Sequence, residues 1–180
     1  MKISVLLVSI FALARCENRP DETIAVSAPF DEPEAKRVFA DGNNTIFGSA
    51  VVHQVDGGTQ TTGCLVAYLI RQTAHADERI MAIYGDAERG NNYIVWGQRI
   101  AFDGRRIAFE PDLPAYQENQ RAVACDPQGR FEFQTVADGG YYVIANVYLS
   151  ASDGPPREGQ AFMRRVHVDG GETISVDLSH

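Results

Sequence analysis

The stretch Asp126-Pro127-Gln128-Gly129-Arg130-Phe131-Glu132-Phe133-Gln134-Thr135-Val136-Ala137-Asp138-Gly139-Gly140-Tyr141-Tyr142-Val143 is the most informative part of the chain. Asp126 to Gly129 has Pro at the second position of a four-residue turn and Gly at its end, the residues such a turn favours. Arg130 to Val136 then alternates, which places Phe131, Phe133 and Thr135 on one face of a strand. Asp138-Gly139-Gly140 turns the chain again, into the β-favouring run Tyr141 to Leu149. Turn, strand, turn and strand follow one another with no residue to spare, as in an all-β domain.

The same punctuation extends in both directions. Ala122 to Cys125 is a short strand, and Ala161 to Val168 and Thr173 to Leu178 are two closing strands joined at Asp169-Gly170-Gly171. Toward the N-terminus, Gly63 to Ile70 is a strand dominated by Leu65, Val66, Tyr68 and Leu69. Thr45 to Val55 is another, ended by Asp56-Gly57-Gly58. Residues 76–84 fit two patterns, because Ile80, Ile83 and Tyr84 also share one face of a short helix. Asp103-Gly104, flanked by Gln98 to Phe102 and Arg105 to Phe109, predicts a two-residue type I′ hairpin turn. That register sets Phe102 opposite Arg105 and Ile100 opposite Ile107, with Ile100, Phe102, Ile107 and Phe109 on one face. Before the strands, residues 17–30 are polar and carry Pro20 and Pro29, as in a tether. Asp31 is then an N-cap, with Pro33 and Glu34 in the first turn of a helix over about 32–41. Val38 and Phe39 are its packing residues. The expectation is an all-β, antiparallel sandwich of about seven to nine strands with one short N-terminal helix.

The pattern Asp126-x-x-Gly129-x-Phe131-x-Phe133-x-x-Val136-x-x-Gly139-x-Tyr141-x-Val143, with Ile46-x-Gly48-x-Ala50 on the first strand, resembles the carboxypeptidase regulatory-like domain. The resemblance spans roughly residues 44–178 and implies a prealbumin-like (transthyretin-like, Ig-like) β-sandwich. Modules of this kind sit beside catalytic, receptor or transport domains, or stand alone on bacterial envelopes, and most lack catalytic residues of their own. Residues 86–117 exceed what the compact pattern requires, so the Asp103-Gly104 hairpin is an elaboration of it.

Met1 and Lys2 followed by the apolar run Ile3 to Leu13 have the form of an export signal, too short to cross a bilayer. Two cleavage readings stand. Ala12-Leu13-Ala14 is a small-x-small site, whereas Leu13-Ala14-Arg15-Cys16 resembles the lipobox of bacterial lipoproteins, with Cys16 as the acylated residue. Arg15 stands where that family has Gly, Ala or Ser. The expected organisation is a signal over 1–16, a tether and helix over 17–42, and the sandwich over 43–180. The product is exported to the periplasm or cell envelope and meets the membrane only through an N-terminal lipid. Cys64 and Cys125 then remain as a pair. In an oxidising compartment they suggest one disulfide, closing a loop of about 61 residues and stabilising the fold by about 4 kcal/mol in the chain-entropy model. The alternative is two buried thiols acting as small hydrophobes.

Composition narrows the function further. Hydrophobic residues make up 44% and charged residues 22%, the balance of a folded domain. Lys and Arg number 16 against 24 Asp and Glu, a formal net charge of −8. No basic surface is available to hold a phosphate backbone, which argues against nucleic acid as a partner.

Motifs that carry chemistry are few. His75-Ala76-Asp77-Glu78 has the His-x-x-Glu spacing of metallocarboxypeptidase zinc sites but lacks a third ligand. His53, His167 and His180 add no ligand spacing. The chain ends Asp177-Leu178-Ser179-His180, not in the Tyr-Arg-Gly-Ser tail of the transthyretin-related hydroxyisourate hydrolases. No nucleophile elbow, phosphate loop or calcium loop appears. Asn43-Asn44-Thr45 fits a glycosylation acceptor, a short pattern that means nothing in a bacterial context. Neither cofactor, metal ligand nor catalytic group is therefore assigned.

Aromatic residues supply the candidate binding surface: Trp96, Tyr93 and Tyr116 in the 86–117 excursion, with Tyr142 and Tyr148 on one face of their strand and Tyr141 on the other. The expected function is a non-catalytic binding module for an envelope protein or glycan. The alternatives are an exported enzyme or enzyme subunit using His75 and Glu78, and a small-ligand carrier with a pocket between the sheets or at a dimer interface.

Overall fold

Two Asp-Gly-Gly corners divide the strands between two sheets. The computed structural model describes residues 19–54, 60–149 and 158–178, so Cys16, the 1–16 signal, Asp56-Gly57-Gly58 and His180 lie outside the described residues. The N-terminal strands are β1 (Glu22–Ala25), β2 (Asp41–Ser49), β3 (Val51–Gln54), β4 (Gln60–Gly63) and β5 (Val66–Arg71). Then come β6 (Arg89–Val95), β7 (Ile107–Glu110), β8 (Gln120–Ala124) and β9 (Arg130–Val136). The last three are β10 (Gly139–Leu149), β11 (Glu158–Val168) and β12 (Thr173–Asp177). The helices are α1 (Glu32–Lys36), α2 (Ala74–Tyr84) and α3 (Pro114–Glu118).

A five-stranded sheet, in the order β6-β11-β10-β5-β8, faces a three-stranded sheet in the order β12-β2-β9. The corner at Asp138 carries the chain from β9 in the small sheet to β10 in the large one. The corner at Asp169 carries it back from β11 to β12. Strand alternation then dictates the core. Tyr141, Val143, Ala145 and Val147 of β10 face inward with Leu69, Phe162, Ile46, Phe131 and Phe133, all buried. Burying each large apolar side chain stabilises the fold by about 1.5–3 kcal/mol.

The opposite face of the large sheet is covered as well. Tyr142 and Met163 pack there against Ala76, Ile80 and Tyr84 of α2. Thr73 caps α2 by accepting from the Ala76 N–H at 3.1 Å, and left-handed Gly85 ends it. This settles residues 76–84 as helix, because Ala76 and Ile80 have a sheet to cover. A third small core, Val26, Ala101, Ile107 and Phe109 with Ile24, Ala82 and Ile83, closes over the outer side of α2. Among the described residues no helix is long and apolar enough to cross a membrane.

Several boundaries match the sequence reading. β9 spans Arg130–Val136, and Asp31 caps α1 by accepting from the Glu34 N–H at 3.0 Å. The Cys64–Cys125 disulfide is formed, with Cα atoms 5.7 Å apart, and ties the start of β5 to the end of β8.

Other expectations are corrected. The sandwich is not purely antiparallel: β12 runs parallel to β2, and β1 parallel to β7. The small sheet receives β12 only after the chain has crossed from the other sheet, which frees its direction from hairpin geometry. Part of the presumed tether is strand, because Glu22–Ala25 finds the open edge of β7. The N-terminal helix is shorter than expected, since a 3-10 turn over Arg37–Phe39 follows α1; Val38 is buried there and Phe39 is exposed. It is also not the only helix, since α2 and α3 join it. The strand expected over Thr45 to Val55 breaks at buried Ala50 into β2 and β3.

Thr135 leaves the face assigned to it. Its φ of 52° is left-handed, the β2–β9 register shifts there, and Val136 takes the core position. In the hairpin, the Gly104 N–H donates to Ala101 O at 2.8 Å and the Ala101 N–H to Arg105 O at 2.8 Å. Of Asp103 and Gly104 only Gly104 has positive φ, so the loop has three residues and ends in a bulge. Ile100 therefore pairs with Arg106 rather than Ile107. The one-residue shift puts Ala101 rather than Ile100 with Ile107 and Phe109 in the small core; Ile100 is buried outside that cluster, and Phe102 is left 59% exposed.

Candidate functional site

Of the exposed aromatic side chains, Tyr93, Trp96 and Phe102 lie around β6, the edge strand of the large sheet, while Phe39 and Phe47 lie elsewhere. Core residues of the sandwich reach β11 but none comes from β6. On β6, Asn92 is buried and Ile94 packs against the α2-side core, while Arg89, Asn91 and Tyr93 are left open to solvent. Tyr93 pairs with Gln160, and Ile94 with Gly159, which itself pairs with Tyr148. Directly opposite residues share a face, so Tyr148 and Ile94 flank Gly159 on the α2 side. A side chain at Gly159 would collide with the β10 backbone at Val147 and Tyr148, so glycine is required between them. Trp96, in the turn after β6, lies with its ring 6.1 Å from that of Tyr148 at 53°.

Trp96 is 67% exposed and is the single tryptophan of the chain, while Tyr148 beneath it is half-buried. Burial is the main cause that pushes the Tyr148 hydroxyl up from its ordinary value, with Tyr68 nearby acting the same way. Tyr93, on the other face, is exposed, and its hydroxyl donates to the Glu158 carboxylate, which raises the phenol pKa. The structure thus brings Trp96 and Tyr93 to one strand end.

Tyr116 is the exception, and its assignment to the surface is corrected. It is buried beside His75, with ring centroids 5.4 Å apart, and Phe30, at 6.3 Å. The Arg79 guanidinium is wedged between the Phe109 ring, at 4.0 Å, and the Tyr116 ring, at 4.3 Å, and reaches Asp112 at 3.2 Å. Burial pushes the Tyr116 hydroxyl up to about 12. Its neighbours come from α2 and from the segment before α1, which local sequence does not place together.

His75 and Glu78 also have structural occupations. Glu78 accepts from the Ser27 N–H and hydroxyl, both at 2.6 Å, and from the Ala28 N–H at 3.2 Å. These bonds, led by the Ser27 hydroxyl, hold its pKa below the ordinary carboxylate value. His75 Nδ1 lies 2.9 Å from Ala28 O, an acceptor, so Nδ1 carries a proton. Both side chains pin residues 27–28 onto α2, and the Glu78 carboxylate is taken up by that strap. Among the described residues no three His, Cys, Asp or Glu side chains gather to hold a metal ion.

Sequence reasoning missed three residues of the β6 surface: Phe102, Asn91 and Gln160. Phe102 rests its ring against Gly85, close to where a side chain there would stand. With Tyr93, Asn91 and Gln160 it lines a cleft of about 250 Å³. Strand alternation placed Phe102 inside, and only the three-residue loop puts it out.

No protein-family model matches the chain, and no curated protein matches its sequence. The crystal structure of a protein from Pseudomonas aeruginosa, proposed to bind carbohydrate, is similar in fold, with a TM-score of 0.56. It is 20% identical, and the match covers 85% of this chain and 99% of that one. At that identity the likeness is one of architecture.

Proposed function

We propose that this chain is a non-catalytic β-sandwich module that binds a glycan of the bacterial envelope on the Trp96–Tyr148 platform. The observation that carries the reading is a lone, largely exposed tryptophan backed by a half-buried tyrosine. An isolated exposed indole has only its own face to offer. One supported from behind is held in place and loses little freedom when a ligand covers it. The C–H face of a sugar ring is such a ligand, being apolar and flat, with hydroxyls at its rim. Support comes also from the fold likeness to a protein proposed to bind carbohydrate.

The sandwich is read as prealbumin-like, a relative of the carboxypeptidase regulatory-like domain, on the Asp126 to Val143 pattern. Residues 1–16 are read as the export signal that delivers it, with Cys16 as its lipid attachment. Intact mass after expression in a Gram-negative host tests the second point: a diacylglycerol adduct on Cys16 is expected, and an unprocessed chain overturns it.

Binding is tested on an array of neutral and acidic bacterial glycans, comparing the native chain with Trp96→Ala. Retention on a subset of glycans, lost by about tenfold or more in the variant, is expected for a hot-spot aromatic. Equal retention by both proteins overturns the platform.

A further inference from the structure

The edge of β6 carries a second feature that the platform does not use. Tyr93 and Phe102, 45% and 59% exposed, flank the cleft of about 250 Å³. Its lining is completed by Asn91, Asn92, Gly104 and Gln160, with no charged side chain among them. Asn92 is occupied, since its amide donates to Ile83 O at 3.0 Å and Ile100 O at 2.6 Å and so holds the hairpin against β6. Asn91 and Gln160 are left to present donors and acceptors to the cleft. Two aromatic rings with neutral amides between them suit a group that is apolar on its faces and hydroxylated at its rim. The volume is below that of a drug-sized pocket, which limits the cleft to a small ring.

Cleft and platform sit on one strand. Tyr93 and Trp96 are three residues apart on opposite faces, so a ligand that reaches both must pass over the edge of the strand. As an edge strand, β6 pairs only with β11 and keeps one side of its backbone out of the ladder.

We infer that a neutral oligosaccharide lies along the open edge of β6, with one sugar ring on Trp96 and another between Tyr93 and Phe102. This rests on the platform reading above and adds to it the length and charge of the ligand. Neutrality follows from the uncharged lining, from Glu158 beside Tyr93, and from a net charge of −8, which repels polyanions.

The test is calorimetry on the full chain with β-1,4-linked N-acetylglucosamine and glucose oligomers of increasing length, and with galacturonate oligomers as acidic counterparts. At least tenfold tighter binding is expected on going from a single ring to a neutral oligomer able to reach both features. Asn91→Ala/Gln160→Ala should cut that gain to less than threefold. Phe102→Ser, at an exposed loop tip, should do the same without altering a strand. A Trp96-dependent affinity that ignores length and both variants overturns the cleft while leaving the platform intact. Tighter binding of galacturonate overturns neutrality, and no Trp96-dependent binding to any of these sugars overturns platform and cleft together.

Discussion

Phe133 and Phe102 are the same residue in alternating apolar strings, yet one is fully buried and the other largely exposed. Phe133 belongs to β9, where the Asp126 carboxylate fixes the preceding turn by accepting from the Gln128 and Arg130 N–H groups, both at 2.9 Å. Its face is then set by alternation alone. Phe102 belongs to a hairpin whose register depends on one residue of loop length, and whose far strand pairs with a segment about eighty residues earlier in the chain. Where a local turn sets the register, sequence specifies the fold. Where a distant partner sets it, sequence does not.

The contrast is broken most severely by truncating both rings. Phe133→Ala should cost about 3–5 kcal/mol in a denaturant titration, and Phe102→Ala less than about 0.5 kcal/mol. Comparable losses would mean that the hairpin tip is part of the core. Next in size is the crosslink: replacing Cys64 and Cys125 by Ala should cost about 2–4 kcal/mol, with hydrogen exchange rising first in β8, the edge strand it anchors. A smaller effect of opposite sign is expected at Thr135, a β-branched residue held at φ 52°. Thr135→Gly should stabilise the chain by about 1 kcal/mol in the same titration, and a loss would show that its hydroxyl, not the bulge, is what the corner needs.

The strap over α2 gives the mildest and most local prediction. The native pKa of Glu78 is below its ordinary value of 4.5, so its bonds to Ser27 and Ala28 are fully present above that value. They are lost as pH falls through the lowered native pKa. Protection factors at Ser27 and Ala28, corrected for the intrinsic slowing of exchange in acid, should therefore fall on acidification before those in β10 do. Simultaneous exposure of both would mean that the strap and the sandwich open as one unit.

The legible and illegible parts of the candidate site follow the same division. Trp96 and Tyr93 could be singled out because they fall outside the turn-and-strand pattern of the sequence, although the structure makes residues 89–95 the edge strand of the large sheet and not an excursion from it. Tyr116 could not be told from them, since what buries it is Phe30 and His75, brought together only when residues 26–30 lie down on α2. The role of Tyr148 as a backing ring depends on Gly159 lying between it and Ile94, a relation across three strands. The buried corner at Asn44 shows the converse. Its amide donates to Val136 O at 2.9 Å and its oxygen accepts from the Gly171 and Glu172 N–H groups, at 2.9 and 2.7 Å. An asparagine inside a glycosylation-like triplet thus joins both sheet-crossing corners, a task its sequence context does not announce.

The central claim, that Trp96 on Tyr148 is the ligand platform, is tested most directly by tryptophan emission. With one tryptophan in the chain, the signal reports this position alone. Titration with the glycans retained on the array should shift the emission to the blue and saturate at the affinity found by calorimetry, because a sugar ring excludes water from an indole that is now 67% exposed. Saturable binding by calorimetry with an unchanged emission spectrum would place the ligand elsewhere and contradict the account.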